Sequence, residues 1–348
     1  MAERKIFVVI GCDTDPDRAG FVPEAAGATT LIWRGMLEGI PRAKDRLSKL
    51  VDADGNPPLF TWCLRADKQV KMAHGSYAYV MEEHHEHLLD LERSGDELAW
   101  HPHFWQYDEA RNIWYQEFRD IDWQLDMLEQ AHAAFEQALP GRIKSARMGW
   151  IYHNDRTFQK LAELGVRTEF SALPGHRIDP GKQTGPNANF FDWSVTPNRP
   201  YYASIEDYRR EPRDGEGRVG MLEAPVFVSE SFFWGAFRGF VLARKMKAPG
   251  QIWLSLRFPT YWISITGKPV LFSPVLNQAR KRLLKEGRVF FVTYFHPDEL
   301  LDTGSAIYSL PNMEQNLSDL LALAEREDAT LHYLRAGDLP GLIGPANR

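Results

Sequence analysis

The chain has 348 residues, of which 44% are hydrophobic and 25% are charged, a composition typical of a soluble globular protein with a large core. Its formal net charge of −6 gives no sign of the positive field by which proteins bind nucleic acid or an anionic membrane. The first apolar run stops at Asp13, and no apolar stretch reaches transmembrane length. We therefore predict a cytoplasmic protein without a membrane span.

Short apolar runs alternate with helical patterns along most of the chain. A continuous apolar run predicts a strand at residues 6–10. Further strands are predicted at residues 59–64, 98–101, 145–150, 166–171, 222–228, 289–295 and 330–334. Helical periodicity and capping residues predict helices at residues 31–50, 76–93, 121–139, 155–164, 277–286 and 314–327. The alternation is typical of an α/β fold with a parallel sheet. Seven or eight such strands favour a closed or distorted barrel, and a doubly wound open sheet is the alternative.

Two long stretches interrupt this alternation. Residues 174–218 are rich in Pro, Gly, Asn and aromatic side chains, and residues 229–268 are aromatic and irregular with some helical character. Both stretches are too long to be plain connections between elements. We predict that they form a lid or the walls of a cleft within a single domain that spans residues 1–348.

A pair of histidines ends the third predicted strand. His101 and His103 are two residues apart, so both imidazoles of an extended backbone point the same way. Two imidazoles and one carboxylate can hold a divalent ion and leave room for water. Asp15, in the sequence Asp13-Thr-Asp15 after the first strand, is the predicted third ligand. The alternative is that one His caps the strand and the other lies on the surface.

Several polar residues share one position relative to the predicted strands. In parallel barrels the active site is built at the carboxyl ends of the strands. The residues at or just after such ends are Asp13, Asp15, His101, Arg147, Tyr152 and His296. We therefore expect them to converge on one site. The sequence has no Gly-rich phosphate loop and no Gly-x-Ser-x-Gly elbow, which argues against a nucleotide-binding protein or a serine hydrolase.

The order of these residues resembles the five motifs of the NodB-homology polysaccharide deacetylases, carbohydrate esterase family 4, and the resemblance spans about residues 5–300. That family has a distorted (β/α)7 barrel, which is the fold we expect here. The second family motif, Gly-His-Glu-Ile-Gly-x-His, is similar to Gly95-Asp-Glu-Leu-Ala-Trp-His101. The other matches are Asp13-Thr-Asp15 for the first motif, Arg147 for the third, Asp192-Trp193 for the fourth and Tyr294-Phe-His-Pro-Asp-Glu-Leu300 for the fifth.

One departure from the family concerns the metal ligands. The family usually has a second metal-binding His four residues after the first. That position is Trp105 here, whereas His103 follows His101 by two residues. Either His103 takes over the role of ligand, which strand geometry allows, or the metal site is altered or absent.

The resemblance implies a role in amide hydrolysis for each matching residue. One divalent ion, with zinc expected, would be held by Asp15, His101 and His103. Asp13 would be the general base, and Arg147 would hold it in place. His296 would donate a proton to the departing amine, with Asp192 orienting its ring. The alternatives are a structural salt bridge for Arg147, a helix start for His296 and loop packing for Asp192.

Aromatic residues are the expected substrate-binding groups. Trp105, Trp150 and Trp193 can stack on sugar rings, as can Trp234 and Trp262, and core packing is the alternative for each. A backbone N–H near Tyr152 is expected to help bind the oxyanion.

Together these observations predict a metal-dependent hydrolase that removes N-acetyl groups from an amino sugar or polysaccharide. One alternative is hydrolysis of another non-peptide C–N bond, such as that of a ureide or cyclic imide. A second alternative is a catalytically silent carbohydrate-binding protein. The expected partner is a saccharide or small amide substrate and not a nucleic acid.

Overall fold

The computed structural model describes residues 3–17, 31–179, 189–246, 250–301, 305 and 307–344. Within these ranges the chain forms a mixed α/β fold whose strands and helices are numbered here in chain order. The strands are β1 Arg4–Thr14, β2 Phe60–Arg65, β3 Glu97–His101, β4 Trp105–Asp108, β5 Ile113–Gln116, β6 Ser145–Ala146, β7 Thr168–Glu169, β8 Arg177–Ile178, β9 Phe191–Asp192, β10 Tyr201–Ser204, β11 Arg218–Glu223, β12 Arg288–Phe295 and β13 Ala329–Leu334.

The helices lie mainly in the connections between the sheet strands. They are α1 Ile40–Leu47, α2 Lys68–His74, α3 Tyr79–Glu83, α4 His85–Arg93, α5 Ile121–Ala138, α6 Asp155–Glu163, α7 Phe232–Met246, α8 Gly250–Arg257, α9 Pro269–Glu286, α10 Leu310–Arg326 and α11 Leu339–Ile343. Short turns of other helix types occupy Gly35–Gly39, Gly149–Ile151, Pro297–Leu300 and Ala336–Asp338. No helix of the described ranges is long and apolar enough to cross a membrane.

The main sheet has the strand order β10-β11-β7-β6-β3-β2-β1-β12, and β13 also pairs with β1. All of these pairings are parallel except the edge pair of β10 and β11. The segment after β11 then meets β12, where the N–H of Phe227 donates to the carbonyl of Val292 at 2.8 Å. The eight parallel strands therefore curl into a distorted barrel, which confirms the predicted fold class.

Both faces of the sheet are buried, which explains the continuous apolar run of β1. Val8 and Ile10 pack in the large core between the sheet and the helices. Val9, which points to the opposite face, packs inside the barrel with Cys63 and Phe170. Successive strand residues point to opposite faces, so a strand covered on both sides reads as uninterrupted hydrophobicity. Cys12 and Cys63 are free buried thiols.

The structure differs from the predicted elements at several points. The predicted strand at residues 145–150 ends at Ala146, because Trp150 and Ile151 adopt positive φ angles of 56° and 51°. The predicted helix at residues 76–93 is broken at His84. Helix α9 begins at Pro269 and contains Pro274, whose missing N–H frees the carbonyl of Val270. The hydroxyl of Ser273 donates to that carbonyl at 3.1 Å, so the proline is tolerated.

The two insertions contain regular structure that periodicity did not predict. The first includes the β8–β9 hairpin and β10, which extends the main sheet. The second includes α7 and α8. Short antiparallel pairs of two to four residues are too brief to show an alternating pattern, so they read as irregular chain.

Gly35 allows the chain before α1 to lie directly against the segment that follows β12. A Cβ atom at Gly35 would lie 2.5 Å from the carbonyl carbon of Pro297 and from the backbone nitrogen of Asp298. These are backbone atoms and cannot rotate away. We expect Gly35→Ala to destabilise the fold by about 1–3 kcal/mol through overpacking, measured by urea unfolding.

The matched control for this substitution is Gly220→Ala. A Cβ atom at Gly220, in β11, meets nothing within 4 Å, so Ala there is expected to leave the unfolding midpoint near that of the wild type. Equal stability of the two variants would contradict the packing argument.

Candidate active site

The carboxyl ends of the sheet strands carry a cluster of charged side chains. Asp13 and Asp15 lie at the end of β1, His101 ends β3, Arg147 follows β6 and His296 follows β12. All of them line one pocket of about 700 Å³. Its other lining residues are Pro16, Arg65, His103, Trp105, Trp150, Ile151, Leu173, His176, Arg177, Ile178, Asn189, Phe191, Arg238, Trp262 and Tyr294.

Asp15, His101 and His103 form a three-residue group whose ligand atoms face one another. The Nε2 atoms of the two imidazoles are 3.0 Å apart. Asp15 Oδ1 lies 3.7 Å from Nε2 of His101 and 3.3 Å from Nε2 of His103. Two nitrogens that bind one zinc ion tetrahedrally at about 2.0–2.1 Å are about 3.3 Å apart, so the spacing suits a shared cation.

The hydrogen bonds of the two histidines also suit metal ligation. His101 Nδ1 lies 2.6 Å from the carbonyl of Arg147, so it carries the proton and leaves a lone pair on Nε2. Burial and the nearby Arg65 lower the pKa of His103 to about 4, so this imidazole is neutral and can act as a ligand. Nδ1 of His103 is buried without a hydrogen-bond partner in the described chain. The donor set of two imidazoles and a carboxylate therefore fits a divalent cation.

A buried arginine contacts the same Asp15 oxygen that faces the two histidines. Arg65, the last residue of β2, places Nη1 2.6 Å from Asp15 Oδ1 and Nε 2.6 Å from Asp67 Oδ2. Burial acts to raise the pKa of Asp15, but His103 and Arg65 outweigh it and hold that pKa well below its usual value. Asp67 also accepts the backbone N–H of His103 at 3.2 Å. The Arg65–Asp67 pair thus links the end of β2 to the candidate ligands.

Asp13 is held by a second buried arginine. Arg147 Nε lies 2.7 Å from Asp13 Oδ1, and the guanidinium of Arg147 stacks 3.7 Å above the ring of Tyr294. Burial acts to lower the pKa of Arg147, but Asp13 outweighs it and raises the pKa above its usual value. The guanidinium therefore fixes the Asp13 carboxylate in position through a buried ion pair.

His296 approaches both aspartates from the other side of the pocket. Its Nε2 lies 3.7 Å from Asp15 Oδ2 and 4.0 Å from Asp13 Oδ2. Its Nδ1 lies 3.5 Å from Glu299 Oε1, and the Glu299 carboxylate also accepts hydrogen bonds from Ser264 and Thr266. A carboxylate on Nδ1 orients the ring with Nε2 towards the aspartates.

The predicted contact between Asp192 and His296 is wrong. The Asp192 carboxylate pairs with Arg209 at 2.6 Å and lies 3.7 Å from Arg177. It sits in the β8–β9 hairpin, where its charge is neutralised by these arginines. Glu299, three residues after His296 in the chain, is the carboxylate that faces Nδ1 of the imidazole.

Two of the predicted substrate-binding residues lie away from the pocket. Tyr152 is buried, and its hydroxyl donates to the carbonyl of Phe118 at 3.1 Å. Its backbone N–H is directed to the carbonyl of Gly149 at 3.4 Å, so it does not serve an oxyanion. Trp193 is fully buried and donates from Nε1 to the carbonyl of Ile151. Core packing is the observed role of both side chains.

Trp105 and Trp150 do line the pocket, together with Trp262. Trp105 is almost fully buried and stacks on the ring of His103 at 6.3 Å. Trp150 is 43% exposed and sits in the strained turn that follows Arg147. A Cβ atom on Gly149 would lie 2.1 Å from the His103 ring, so this turn needs glycine to pass the candidate ligand.

A buried pair of glutamates supports the turn after β6. Glu169 and Glu223 end β7 and β11 and share a hydrogen bond. Burial and the charge of Glu169 raise the pKa of Glu223 well above its usual value, so Glu223 carries the shared proton. That bond and the nearby His153 overcome burial and lower the pKa of Glu169 to about 2. Glu169 also accepts from the hydroxyl of Ser171, which in turn accepts the N–H of Met148 at 2.7 Å.

The sequence carried signals for two of the residues that were missed. Arg65 stands at the end of a predicted strand, which is the position that selected Asp13 and His101. Glu299 lies within the fifth motif match. The glutamate pair and the wall residues His176 and Arg238 have no comparable signal, because only the fold brings them to the pocket or beneath it.

No protein-family model and no curated protein matches the chain. A crystal structure described as a "putative polysaccharide deacetylase" from Mycobacterium smegmatis aligns over 98% of this chain and 91% of its own, with a TM-score of 0.51 and 14% identity. Another, described as a "putative glycoside hydrolase/deacetylase" from Parabacteroides distasonis, covers 98% of this chain and 71% of its own, with a TM-score of 0.57 and 12% identity. At this level of identity the similarity shows a shared fold.

The protonated carboxyl of Glu223 gives a pH-dependent prediction. Because its folded-state pKa is raised, the folded chain binds a proton that the unfolded chain releases above its own pKa of about 4.5. Wild-type stability should therefore fall as pH rises above about 5, by up to about 1.4 kcal/mol per pH unit from this group. The Gln side chain of Glu223→Gln can still donate a hydrogen bond to Glu169, but it does not titrate. The variant should therefore lack this contribution to the fall of stability with pH.

Urea unfolding at several pH values measures the difference between the two slopes. Glu325→Gln, on the exposed face of α10, is the matched control and should retain the wild-type slope. An unchanged slope in Glu223→Gln would refute the shared proton.

Proposed function

We propose that this chain is a metal-dependent hydrolase that removes an N-acetyl group from an amino sugar or polysaccharide. The observation that carries the proposal is the junction of two groups of residues at the barrel mouth. Asp15, His101 and His103 form a cation-binding group, and Asp13 lies beside them, paired with Arg147 rather than with that group. The motif resemblance and the shared fold with structures described as deacetylases support this choice of reaction.

Zinc, held by Asp15, His101 and His103, would supply Lewis acidity and lower the pKa of a bound water. Asp13 acts as the general base that takes the proton of the attacking water. Arg147 fixes the position of this carboxylate, because both partners are buried and the guanidinium is itself held by Tyr294.

His296 acts as the general acid on the opposite side of the substrate. Its Nε2 faces the two aspartates at 3.7–4.0 Å, a gap into which a reacting group can fit. Glu299 behind Nδ1 stabilises the protonated ring, so the proton is delivered from Nε2 to the departing amine.

The turn after β6 provides the remaining polar contact to substrate. Its backbone N–H at Trp150 has no backbone acceptor within the described residues, and we assign it the role of oxyanion donor that the sequence placed near Tyr152. Trp105, Trp150 and Trp262 offer faces for sugar rings. The two insertions act as cleft walls of one domain, since residues of both line the pocket. The cytoplasm remains our proposed compartment.

Metal content tests the cation-binding group directly. Purified protein stripped with chelator and reloaded with zinc is expected to retain about one ion per chain. His101→Ala and His103→Ala should each lose it, because two remaining ligands do not hold zinc tightly. Elemental analysis after desalting is the measurement, and a rise in Tm on zinc addition in the wild type alone is an independent readout.

His332→Ala is the matched control for the metal measurement. Asp52, Asp54 and His332 form the other group of potential ligands among the described residues, but Asp52 already accepts three backbone N–H groups. The control is expected to retain the ion. Metal loss only in His332→Ala would assign the ion to the group of Asp52, Asp54 and His332. Absence of metal from the reloaded wild type would rule out the proposed mechanism.

Asp13→Asn tests catalysis separately from metal binding. It should lower acetate release from N-acetylglucosamine oligomers by about 10²–10⁴-fold, the usual contribution of a general base, while zinc stays bound. Asp192→Asn is the control, since Asp192 does not reach the pocket, and it should keep near wild-type turnover. Zinc-loaded protein that binds saccharides without releasing acetate would instead identify a silent binder. Cleavage of a ureide or cyclic imide would identify the other C–N hydrolase.

A further inference from the structure

The second insertion presents an apolar helix face to solvent. On α7, Phe233, Phe237, Phe240 and Val241 are 71%, 47%, 60% and 45% exposed. Their spacing of i, i+4, i+7 and i+8 places them on one face of the helix. A surface helix of a soluble protein normally carries polar residues on this face, so the pattern of α7 is inverted.

The inner face of α7 fixes this orientation. Arg238 lines the pocket, and the Trp234 ring packs 5.1 Å from the ring of Tyr261. Gly235 lies so close to the following loop that a Cβ atom there would be 2.5 Å from Cα of Pro259. The helix therefore cannot turn its aromatic face inward without losing these contacts.

Helix α8 packs against α7 and carries one more exposed aromatic side chain. Trp253 is 76% exposed, and Arg257 one turn later is also exposed. Arg244, one turn after Phe240 on α7, is exposed on the same face as the phenylalanines. We name the side chains Phe233, Phe237, Phe240, Val241 and Trp253 the aromatic patch.

The charge of this region is opposite to that of the rest of the chain. Residues 231–268 contain six Lys or Arg, nine aromatic residues and no Asp or Glu. Residues 231–285 contain ten Lys or Arg and no acidic residue, so the rest of the chain has a net charge of −16. The whole-chain value of −6 therefore conceals a local positive charge.

We propose that the aromatic patch docks the protein onto an anionic membrane surface. An aromatic face flanked by Arg, on helices that do not span a membrane, is typical of segments that lie in the membrane interface. Trp and Phe bury their rings at the headgroup level, and the cations are attracted by acidic lipids.

Charge also decides between a membrane and a second copy of this chain. In a symmetric dimer built on the aromatic patch, the same surface of both copies would meet. The positive charges of Arg244 and Arg257 would then lie against an equally positive surface of the partner copy. Like charges across an interface are repulsive, and the described residues of 231–268 contain no carboxylate to compensate. An anionic bilayer satisfies the apolar patch and its cations together.

Docking would bring the pocket close to lipid headgroups, because Arg238 and Trp262 of the same insertion line the pocket. The substrate class that follows is an N-acetylated sugar linked to a lipid. This choice of substrate rests on the proposed function, whereas the docking does not.

Vesicle co-sedimentation tests the docking with the full chain. The wild type is expected to bind phosphatidylcholine vesicles that contain about 30% phosphatidylglycerol, with an affinity that falls as the salt concentration is raised. It should bind vesicles of pure phosphatidylcholine only weakly. The double variant Phe237→Ser, Phe240→Ser should bind at least about tenfold more weakly, and Arg244→Gln about fivefold more weakly. Val195→Ser removes a half-exposed apolar side chain elsewhere and should bind as the wild type does.

Three outcomes would overturn the docking: no binding to anionic vesicles, equal binding by the double variant, or a wild-type dimer in solution that the double variant dissociates. The last outcome would assign the patch to self-association. Vesicle binding needs neither zinc nor turnover, so its failure is distinct from failure of the proposed deacetylase activity.

If docking succeeds, acetate release from a lipid-linked acetamido sugar should exceed release from the free sugar only when anionic vesicles are present. The double variant should lose that advantage.

Discussion

Burial of the Arg147 guanidinium is the constraint on which the barrel depends at the carboxyl ends of its strands. The side chain is fully buried, and an unpaired charge at such a position would cost several kcal/mol. Its partners come from different strands: Asp13 from β1, the carbonyl of Phe170 after β7 and the ring of Tyr294 from β12. These strands must approach closely for the cation to be satisfied. The same requirement places the Asp13 carboxylate at the barrel mouth with a fixed orientation.

A second polar layer lies beneath this ion pair. The Glu169–Glu223 pair accepts the backbone N–H groups of Ser171 and Ala172, and through the Ser171 hydroxyl it holds the start of the strained turn at Gly149–Ile151. Backbone with φ near 56° at Trp150 persists only where its surroundings over-determine it. The shared proton of the glutamates therefore bears on the shape of the pocket although neither side chain lines it.

The sequence predicted the parallel barrel and the residues at its strand ends because both depend on local patterns. Apolar runs mark buried strands, and a polar residue after each run marks the mouth. The same approach could not locate Asp192, Tyr152 or Trp193, since these belong to an insertion and a turn whose path is set by tertiary contacts. Trp193 and Tyr152 look like sugar-stacking residues by type, but they fill the core beneath the turn. Glu299 was overlooked because a carboxylate at i+3 reaches the imidazole of His296 only in the tight turn at Pro297–Leu300.

Arg65 makes the cation-binding group differ from a plain set of two histidines and a carboxylate. A guanidinium beside Asp15 opposes a divalent cation by like-charge repulsion. Asp67 offsets this effect, because its carboxylate takes the other edge of the same guanidinium and is fully buried. The Arg65–Asp67 pair is thus neutral, and the pairing of Arg147 with Asp13 is neutral as well. Asp15 alone then supplies the net negative charge for the cation. The backbone N–H of His103 donates to Asp67, and this hydrogen bond fixes the backbone that carries the second imidazole of the group.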